Sequence, residues 1–232
     1  MSEVADPAFV ARYHKVAIPP SPFLTETRIE RLNAGEYEGP EARGALSVVK
    51  PSDRVLELGS GLGVVGAAVT VNCRPERMIS YEANPALIPE IERLYALNGI
   101  THLISVRNRV LMAGDDRPES VTFHVNGKSF LGSGLQEDTV RNAQAVEVPT
   151  EAWEDARAEL SPTVLVMDIE GAELDLLRHA DLTGIRAVIL EFHPGHYGKP
   201  GVREAKNILQ SQGFAKHEDV STRLVWTCSR KI

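Results

Sequence analysis

Four short apolar segments, each of which ends in an acidic residue, constrain the fold of this chain more than any other feature. The segments cover residues 55–57, 78–82, 164–168 and 187–191, and their acids are Glu57, Glu82, Asp168 and Glu191. Continuous apolar segments are typical of parallel strands that helices cover on both faces. Segments with helical spacing of apolar residues lie between them, at residues 63–71, 86–98 and 172–180. The sequence therefore predicts an α/β fold with a doubly wound, mostly parallel sheet, whose strand-end acids face one crevice.

A glycine-rich loop follows the first apolar segment. Residues 55–66 read VLELGSGLGVVG, so we expect the strand to end at Leu58 and a tight turn to begin at Gly59. Glycines there let ligand atoms approach the backbone, and an acid about twenty residues further on accepts hydrogen bonds from a ribose. Glu82 stands at that spacing. The pattern predicts a nucleoside site, although a loop that only packs a strand against a helix has similar glycines.

The charge near this loop indicates which nucleoside it binds. Residues 61–66 also satisfy the dinucleotide pattern G-x-G-x-x-G, so a Rossmann-type NAD(P) oxidoreductase is one alternative. Counted from Gly59, however, the third glycine position holds Val64. A carboxylate such as Glu57 is unfavourable beside a pyrophosphate, whereas S-adenosylmethionine (SAM) has no phosphate and carries an ammonium and a sulfonium group. We therefore expect SAM.

Two parts of the chain fall outside the regular alternation. Residues 1–45, which contain several prolines and a predicted helix at 25–34, are expected to form an N-terminal appendage to a domain at 46–232. That domain is expected to end with a helix at 202–212 and a strand at 223–227.

Within the domain, residues 115–150 are predicted to form a β insertion over the crevice. Residues 121–125 and 145–148 have the pattern of antiparallel strands, with Asn126-Gly127 as a hairpin turn. Gly132-Ser133-Gly134 fits either a mobile lid or a plain surface loop.

Composition limits the expected methyl acceptors and the expected cellular location of the protein. The chain has a net charge of −7 and no basic cluster that tracks a phosphate backbone, so nucleic acid is not the expected acceptor. Cys73 and Cys228 lack metal-ligand spacing and are expected to be free thiols. Because neither a signal peptide nor a segment of membrane-spanning length is evident, we expect a cytoplasmic protein without a membrane span. Homo-oligomerisation is left open.

Several segments together resemble the FkbM family of SAM-dependent methyltransferases. They are LNAGEYEGPE, VLELGSGLGVVG, YEANP, LNG, VMDIEGAELDLL and LEFHP, in this order, and the resemblance spans roughly residues 33–215. Residues 167–173 are the most family-specific part. The resemblance implies a Rossmann-like class I methyltransferase fold. It also implies methyl transfer from SAM to a hydroxyl oxygen of a sugar, a polyketide-type metabolite or a related small molecule, with S-adenosylhomocysteine as the second product.

The resemblance also implies roles for cofactor-binding residues. The methionine part of SAM is expected to contact Glu57, Gly59, Ser60, Gly61 and Gly63, and Glu82 is expected to hold the ribose. Ala83, Asn84 and Asn108 are expected near the adenine, although the following Arg109 is bulkier than the family pattern suggests. Tyr37 and Glu38 are expected to fold over the cofactor, and Asp168 to lie beside it.

Methyl transfer to an alcohol is an in-line displacement that needs a base for the hydroxyl proton. The candidate catalytic residues are Asp168, Glu170, Glu191 and His193, because they follow the two strands beside the first. We favour His193 or Asp168. His193 is alternatively a structural imidazole, and Glu170 and Glu173 are alternatively acids that complement a helix dipole.

Two further hypotheses stay open at this point. The four candidate catalytic residues also suit Mg²⁺, which would lower the pKa of the acceptor, but we do not favour a metal site. Besides the oxidoreductase, a non-catalytic nucleoside-binding protein with the same fold is an alternative. The acceptor is expected to be a small molecule or carbohydrate with a hydroxyl group.

Overall fold

The structure is a computed structural model that describes residues 8–126, 133–135 and 142–230. Its strands within these ranges are β1 (Ala11–Tyr13), β2 (Val16–Ile18), β3 (Arg54–Leu58), β4 (Arg77–Tyr81), β5 (Ile104–Arg107), β6 (Val110–Met112), β7 (Ser120–Asn126), β8 (Ala143–Ala152), β9 (Val164–Met167), β10 (Ala187–Glu191), β11 (Phe214–Lys216) and β12 (Val225–Arg230). The helices are α1 (Glu26–Ala34), α2 (Gly39–Val48), α3 (Val64–Cys73), α4 (Ile88–Leu97), α5 (Trp153–Leu160), α6 (Glu173–His179) and α7 (Pro194–Ser211).

The central sheet confirms the predicted doubly wound, mostly parallel architecture. Its strand order is β11-β12-β10-β9-β3-β4-β5; the pairs from β10 to β5 are parallel, and β12 runs antiparallel to β10 and β11. Along β9, Val164 and Val166 pack into one apolar core, and Leu165 and Met167 pack into another on the opposite face. Helices α2, α3 and α4 cover the first face, and α5, α6 and α7 cover the second. Burial on both faces explains why these strands read as continuous apolar segments.

The last helix starts earlier than predicted. We expected a helix at residues 202–212, but α7 begins at Pro194 and continues through a kink at Gly198, whose φ is 64°. Proline is favourable in the first turn of a helix, and glycine accommodates the left-handed conformation at the kink. The final strand, predicted at residues 223–227, lies at Val225–Arg230.

The predicted β insertion contains an antiparallel pair of strands. Strands β7 and β8 pair from Ser120↔Pro149 to Asn126↔Ala143, and β8 also pairs in parallel with β6. Asn126, the first residue of the predicted hairpin turn, is still paired with Ala143. Gly127 and Gly132 lie outside the described residues, whereas Gly134 bridges to His124.

The N-terminal segment packs on the same core as the sheet. Tyr13 and Ile18 of the β1–β2 hairpin are buried among residues of α3 and α4, and the Asn98 amide makes hydrogen bonds of 2.8 Å with both the N–H and the carbonyl of Ala17. The predicted boundary at residue 45 falls inside α2, which packs against α3 and β10. No helix in the described part of the chain has the length and apolar character needed to cross a bilayer.

Candidate active site

A cavity of about 110 Å³ opens at the carboxyl ends of β3, β4 and β9. This is the edge at which open α/β sheets bind their ligands. The walls nearest the sheet include Leu58, Gly59, Gly61, Tyr81, Glu82, Ala83, Leu87, Arg109, Asp168 and Glu170. Glu38 adds a wall from the N-terminal segment, and Phe123, Ser133 and Leu135 add one from the β insertion. The insertion therefore lies beside the cavity, as the sequence predicts.

The glycine loop has the geometry that close ligand approach requires. Gly59 follows the last residue of β3 and has a φ of 80°. A Cβ at this position would lie 1.7 Å from the carbonyl oxygen of Asp168, so no other residue fits. Gly61 and Gly63 also have positive φ values, and Gly63 is the N-cap of α3. Ser60 is buried, and its N–H donates to the Tyr81 carbonyl.

Glu82 joins the glycine loop to the segment after β4. Its carboxylate accepts hydrogen bonds from the N–H groups of Gly61 (2.8 Å) and Asn84 (2.7 Å). The Asn108 amide donates to the carbonyls of Glu82 and Ala83, both at 2.9 Å. Glu82 and Ala83 line the cavity, whereas Asn84 and Asn108 do not. The visible role of the two asparagines is therefore to position Glu82 and Ala83. Burial raises the pKa of Glu82 to about 7.

Of the four strand-end acids, Glu82 and Asp168 line the cavity, whereas Glu57 and Glu191 do not. Glu57 is buried inside β3 and accepts a hydrogen bond from the Ser80 hydroxyl. A Cβ at Gly66 would lie 2.5 Å from a carboxylate oxygen of Glu57, which places this acid against the first turn of α3. Burial raises its pKa to about 7, and the charge of Glu82 adds to the effect. Glu57 and Glu191 are therefore outside the lining of this cavity, and their predicted roles stay predictions.

His193 lies among three carboxylates at the ends of β9 and β10. Its Nδ1 is 2.9 Å from Oε1 of Glu173, and its Nε2 is 3.5 Å from Oδ1 of Asp168 and 3.6 Å from Oε2 of Glu170. Burial alone would lower the pKa of His193, but the hydrogen bond to Glu173 and the charges of all three acids outweigh it and raise the pKa to about 9. His193 is therefore a cation at neutral pH.

Glu173 holds this arrangement together. Its side chain is 0% exposed, and its Oε1 accepts hydrogen bonds from the N–H groups of Ile169 (3.0 Å) and Gly171 (3.1 Å) as well as contacting His193. From the sequence, Glu173 was expected only as an acid at a helix start. Its position within the family-specific segment at residues 167–173 was the one available signal for a larger role.

A second group of acids lies behind Asp168. Burial and the neighbouring charge of Glu191 raise the pKa of Asp168 well above its ordinary value. Burial and the charge of Glu41, on α2, raise the pKa of Glu191 to about 7. Burial and Glu41 also raise the pKa of Glu38 to about 8. Glu41 was not among the predicted site residues, because the contact between α2 and β10 joins distant parts of the chain.

Tyr37 and Glu38 have different surroundings. Tyr37 is 3% exposed, its carbonyl accepts a 2.6 Å hydrogen bond from the Tyr13 hydroxyl, and it is not among the residues that line the cavity. Glu38 does line the cavity and has a φ of 43°, at the N-cap of α2.

The carboxylates around His193 do not suit Mg²⁺. Ligand atoms of Asp168, Glu173 and His193 lie within 4.8 Å of one another. Mg²⁺ prefers an octahedron of oxygen atoms, however, and His193 supplies a nitrogen whose proton is shared with Glu173. The same Glu173 oxygen already accepts two backbone hydrogen bonds.

Comparison with known proteins identifies the family and the fold. The model of the methyltransferase FkbM domain matches residues 65–216. Two solved methyltransferases share the fold over nearly their whole length. One is a precorrin-6y C5,15-methyltransferase from Geobacter metallireducens (10% identity, TM-score 0.50, 97% of this chain and 99% of that one). The other is a ribosomal protein L11 methylase from Lactobacillus delbrueckii (14% identity, TM-score 0.51, 96% and 97%).

One further solved structure aligns with a lower score. A NADB-Rossmann superfamily protein from Streptococcus agalactiae aligns with a TM-score of 0.47 at 12% identity, over 82% of this chain, which spans just under two thirds (65%) of that protein's length. No curated protein sequence matches the chain.

The fold is therefore that of a class I methyltransferase, a class that uses SAM as its methyl donor. Because the family model covers more than half of its length, the chain belongs to the FkbM methyltransferase domain family.

Proposed function

We propose that this protein transfers the methyl group of SAM to a hydroxyl oxygen of a small molecule or carbohydrate. The observation that carries the proposal is the position of Asp168, which lines the same cavity as the glycine loop. Burial and the charge of Glu191 raise its pKa, which makes its carboxylate a stronger base than that of an ordinary aspartate.

The cavity has the charge that a cationic, phosphate-free nucleoside needs. Its described walls contain four acids, Glu38, Glu82, Asp168 and Glu170, and one cationic side chain, Arg109. Arg109 is itself 3.6 Å from Glu151. This balance favours SAM over the pyrophosphate of a dinucleotide, which argues against the oxidoreductase alternative. We assign the methionine part to the glycine loop, in which Gly59 and Gly61 line the cavity and Ser60 and Gly63 do not, the ribose to Glu82 and the adenine side to Ala83.

Three of the candidate catalytic residues have different roles in this proposal. SAM supplies the electrophilic methyl group. Asp168 accepts the proton of the acceptor hydroxyl as the oxygen–carbon bond forms, which leaves a methyl ether, S-adenosylhomocysteine and a protonated carboxyl. His193 is already protonated and positions the Asp168 and Glu170 carboxylates, so it is a positioning residue rather than the base. Glu191 acts through its charge, which keeps the pKa of Asp168 raised.

We also propose that the acceptor is not a nucleic acid and that the protein works in a reducing compartment, the cytoplasm. The net charge of −7 opposes binding of a polyanion. Cys73 and Cys228 are free thiols, which favours a reducing location.

The test is calorimetry followed by a methyl-transfer assay. We expect heat on addition of SAM or S-adenosylhomocysteine and none with NADH. We then expect labelled methyl transfer to members of a panel of hydroxyl compounds and none to transfer or ribosomal RNA. Tight NADH uptake without SAM binding would favour an oxidoreductase, and SAM binding without transfer to any acceptor would favour a non-catalytic nucleoside-binding protein.

A further inference from the structure

A second groove, of about 210 Å³, lies between β6 and the start of α6. It continues the first cavity, because the two share Val110, Leu111, Leu135, Ile169, Glu170 and Ala172. The glycine loop, Glu82 and Ala83 line the first cavity and do not line the second. The groove is therefore connected to the site assigned to the cofactor, yet lies outside the residues assigned to hold it.

Most side chains that line the groove are apolar, and its ionisable residues are Glu170, Asp175 and His196. The residues found only in the groove include Met112, Ala113 and Leu176 along its walls and Asp175, whose side chain is 65% exposed. Among the described lining residues there is no lysine or arginine. Apolar walls with a few polar groups are typical of small-molecule sites, and methionine adapts to ligands of varied shape. Glu170 and Asp175 disfavour an anionic ligand.

We propose that this groove holds the body of the methyl acceptor, and that the acceptor is a mainly apolar hydroxyl compound that is uncharged or cationic. This inference rests on the proposed function and narrows its acceptor from any small molecule or carbohydrate to an apolar one. A ligand in the groove that extends past Ile169 and Glu170 enters the first cavity, which Asp168 lines. Met112 and Leu176 then determine the size of acceptor that fits.

The first experiment uses the protein saturated with S-adenosylhomocysteine and the uncharged fluorescent dye N-phenyl-1-naphthylamine. We expect the dye to bind, and Met112→Trp to weaken its binding at least about tenfold by filling the groove. The matched control is Ile208→Trp, a partly buried position on α7 that does not line the groove, and it should leave dye binding unchanged. Calorimetry should give the same affinity of both variants for S-adenosylhomocysteine.

A second variant tests the groove without altering the side chains packed in its walls. Asp175→Lys reverses a charge at the exposed edge, and we expect the anionic dye 8-anilinonaphthalene-1-sulfonate to gain about fivefold in affinity relative to the uncharged dye. Unchanged dye binding in both Met112→Trp and Asp175→Lys, with S-adenosylhomocysteine still bound, would overturn the acceptor groove alone. Absence of S-adenosylhomocysteine binding by the unaltered protein would instead overturn the proposed function. If Met112→Trp loses S-adenosylhomocysteine binding, Asp175→Lys alone tests the groove: a gain in affinity for the anionic dye supports the proposal, and unchanged dye binding overturns it.

Discussion

At the scale of single residues, the structure separates two side chains that the sequence left equivalent. His193 and Asp168 both follow strands that end at the ligand-binding edge, so position along the chain favours neither as the base. The three carboxylates around His193 raise its pKa, while burial and Glu191 raise that of Asp168. Both pKa values rise, but a raised pKa favours the charged form of an imidazole and the neutral form of a carboxyl. Both effects depend on neighbours that are distant in sequence. Local patterns cannot supply them.

Asp168→Asn is expected to lower kcat by about 10²- to 10⁴-fold, because the amide cannot accept the hydroxyl proton. Steady-state kinetics with the acceptor identified by the panel measure this, and calorimetry should show that S-adenosylhomocysteine still binds. Asp219→Asn, at an exposed acid in the turn after β11, is the control and should leave kcat unchanged. Full activity in Asp168→Asn would show that another group is the base.

Glu173→Gln is expected to lower the pKa of His193, because it removes the charge that contacts Nδ1 at 2.9 Å. The glutamine oxygen can still accept the backbone hydrogen bonds from Ile169 and Gly171, so the loop should keep its conformation. Titration of the histidine ring protons by NMR measures the change. Asp175→Asn, at an exposed acid on the same helix, is the control and should leave the titration of His193 unaffected. An unchanged His193 titration in Glu173→Gln would contradict this account.

At the scale of helices and strands, the sequence predicted an element correctly where the residues of that element alone show a clear hydrophobic pattern. Strands β3, β4, β9 and β10 are mainly apolar because both of their faces are buried, which is the signal that predicted a parallel sheet. The register of β7 with β8 was less predictable, since pairing continues through Asn126 in spite of the turn-forming dipeptide. Strand β6 has three residues, too few for a periodic pattern, and its pairing with β8 is non-local.

Arg107 links the β insertion to the central sheet at this scale. Its guanidinium donates to Glu151 (2.7 Å), to Glu159 (2.6 Å) and to the Tyr81 hydroxyl (3.0 Å). Arg107→Met is expected to lower the free energy of unfolding by about 1–2 kcal/mol, chiefly through the half-buried contact with Glu151, since exposed pairs contribute little. Urea unfolding followed by tryptophan fluorescence measures this, because Trp153 of α5 is buried beside β8.

The control for this prediction is Arg178→Met. Arg178 pairs with Glu204 through two hydrogen bonds, but both side chains are largely exposed, so we expect little change in stability. Equal destabilisation by the two variants would show that Arg107 has no special role in attaching the insertion.

At the scale of the whole molecule, acids collect at one edge of the sheet in a chain that is already acidic. Burial raises the pKa of Glu38 to about 8 and the pKa values of Glu57, Glu82 and Glu191 to about 7. Because these values exceed the ordinary ones, the folded state binds more protons than the unfolded state, and the stability that this provides is lost as the pH rises through about 7 to 8. A cation in the cavity opposes that loss, since it favours the ionised carboxylates.

Binding of SAM is therefore expected to release protons, and its affinity should rise about three- to tenfold between pH 6 and pH 8 before levelling off. S-adenosylhomocysteine lacks the sulfonium charge, so its affinity should rise less over the same range. Calorimetry in buffers of different ionisation enthalpy measures both the affinity and the number of protons released. Glu82→Gln should reduce the dependence on pH, because it removes one carboxyl that lines the cavity and titrates near pH 7. Equal pH profiles for SAM and S-adenosylhomocysteine would show that the acids at this edge do not recognise the sulfonium, and the charge argument for the cofactor would then fail.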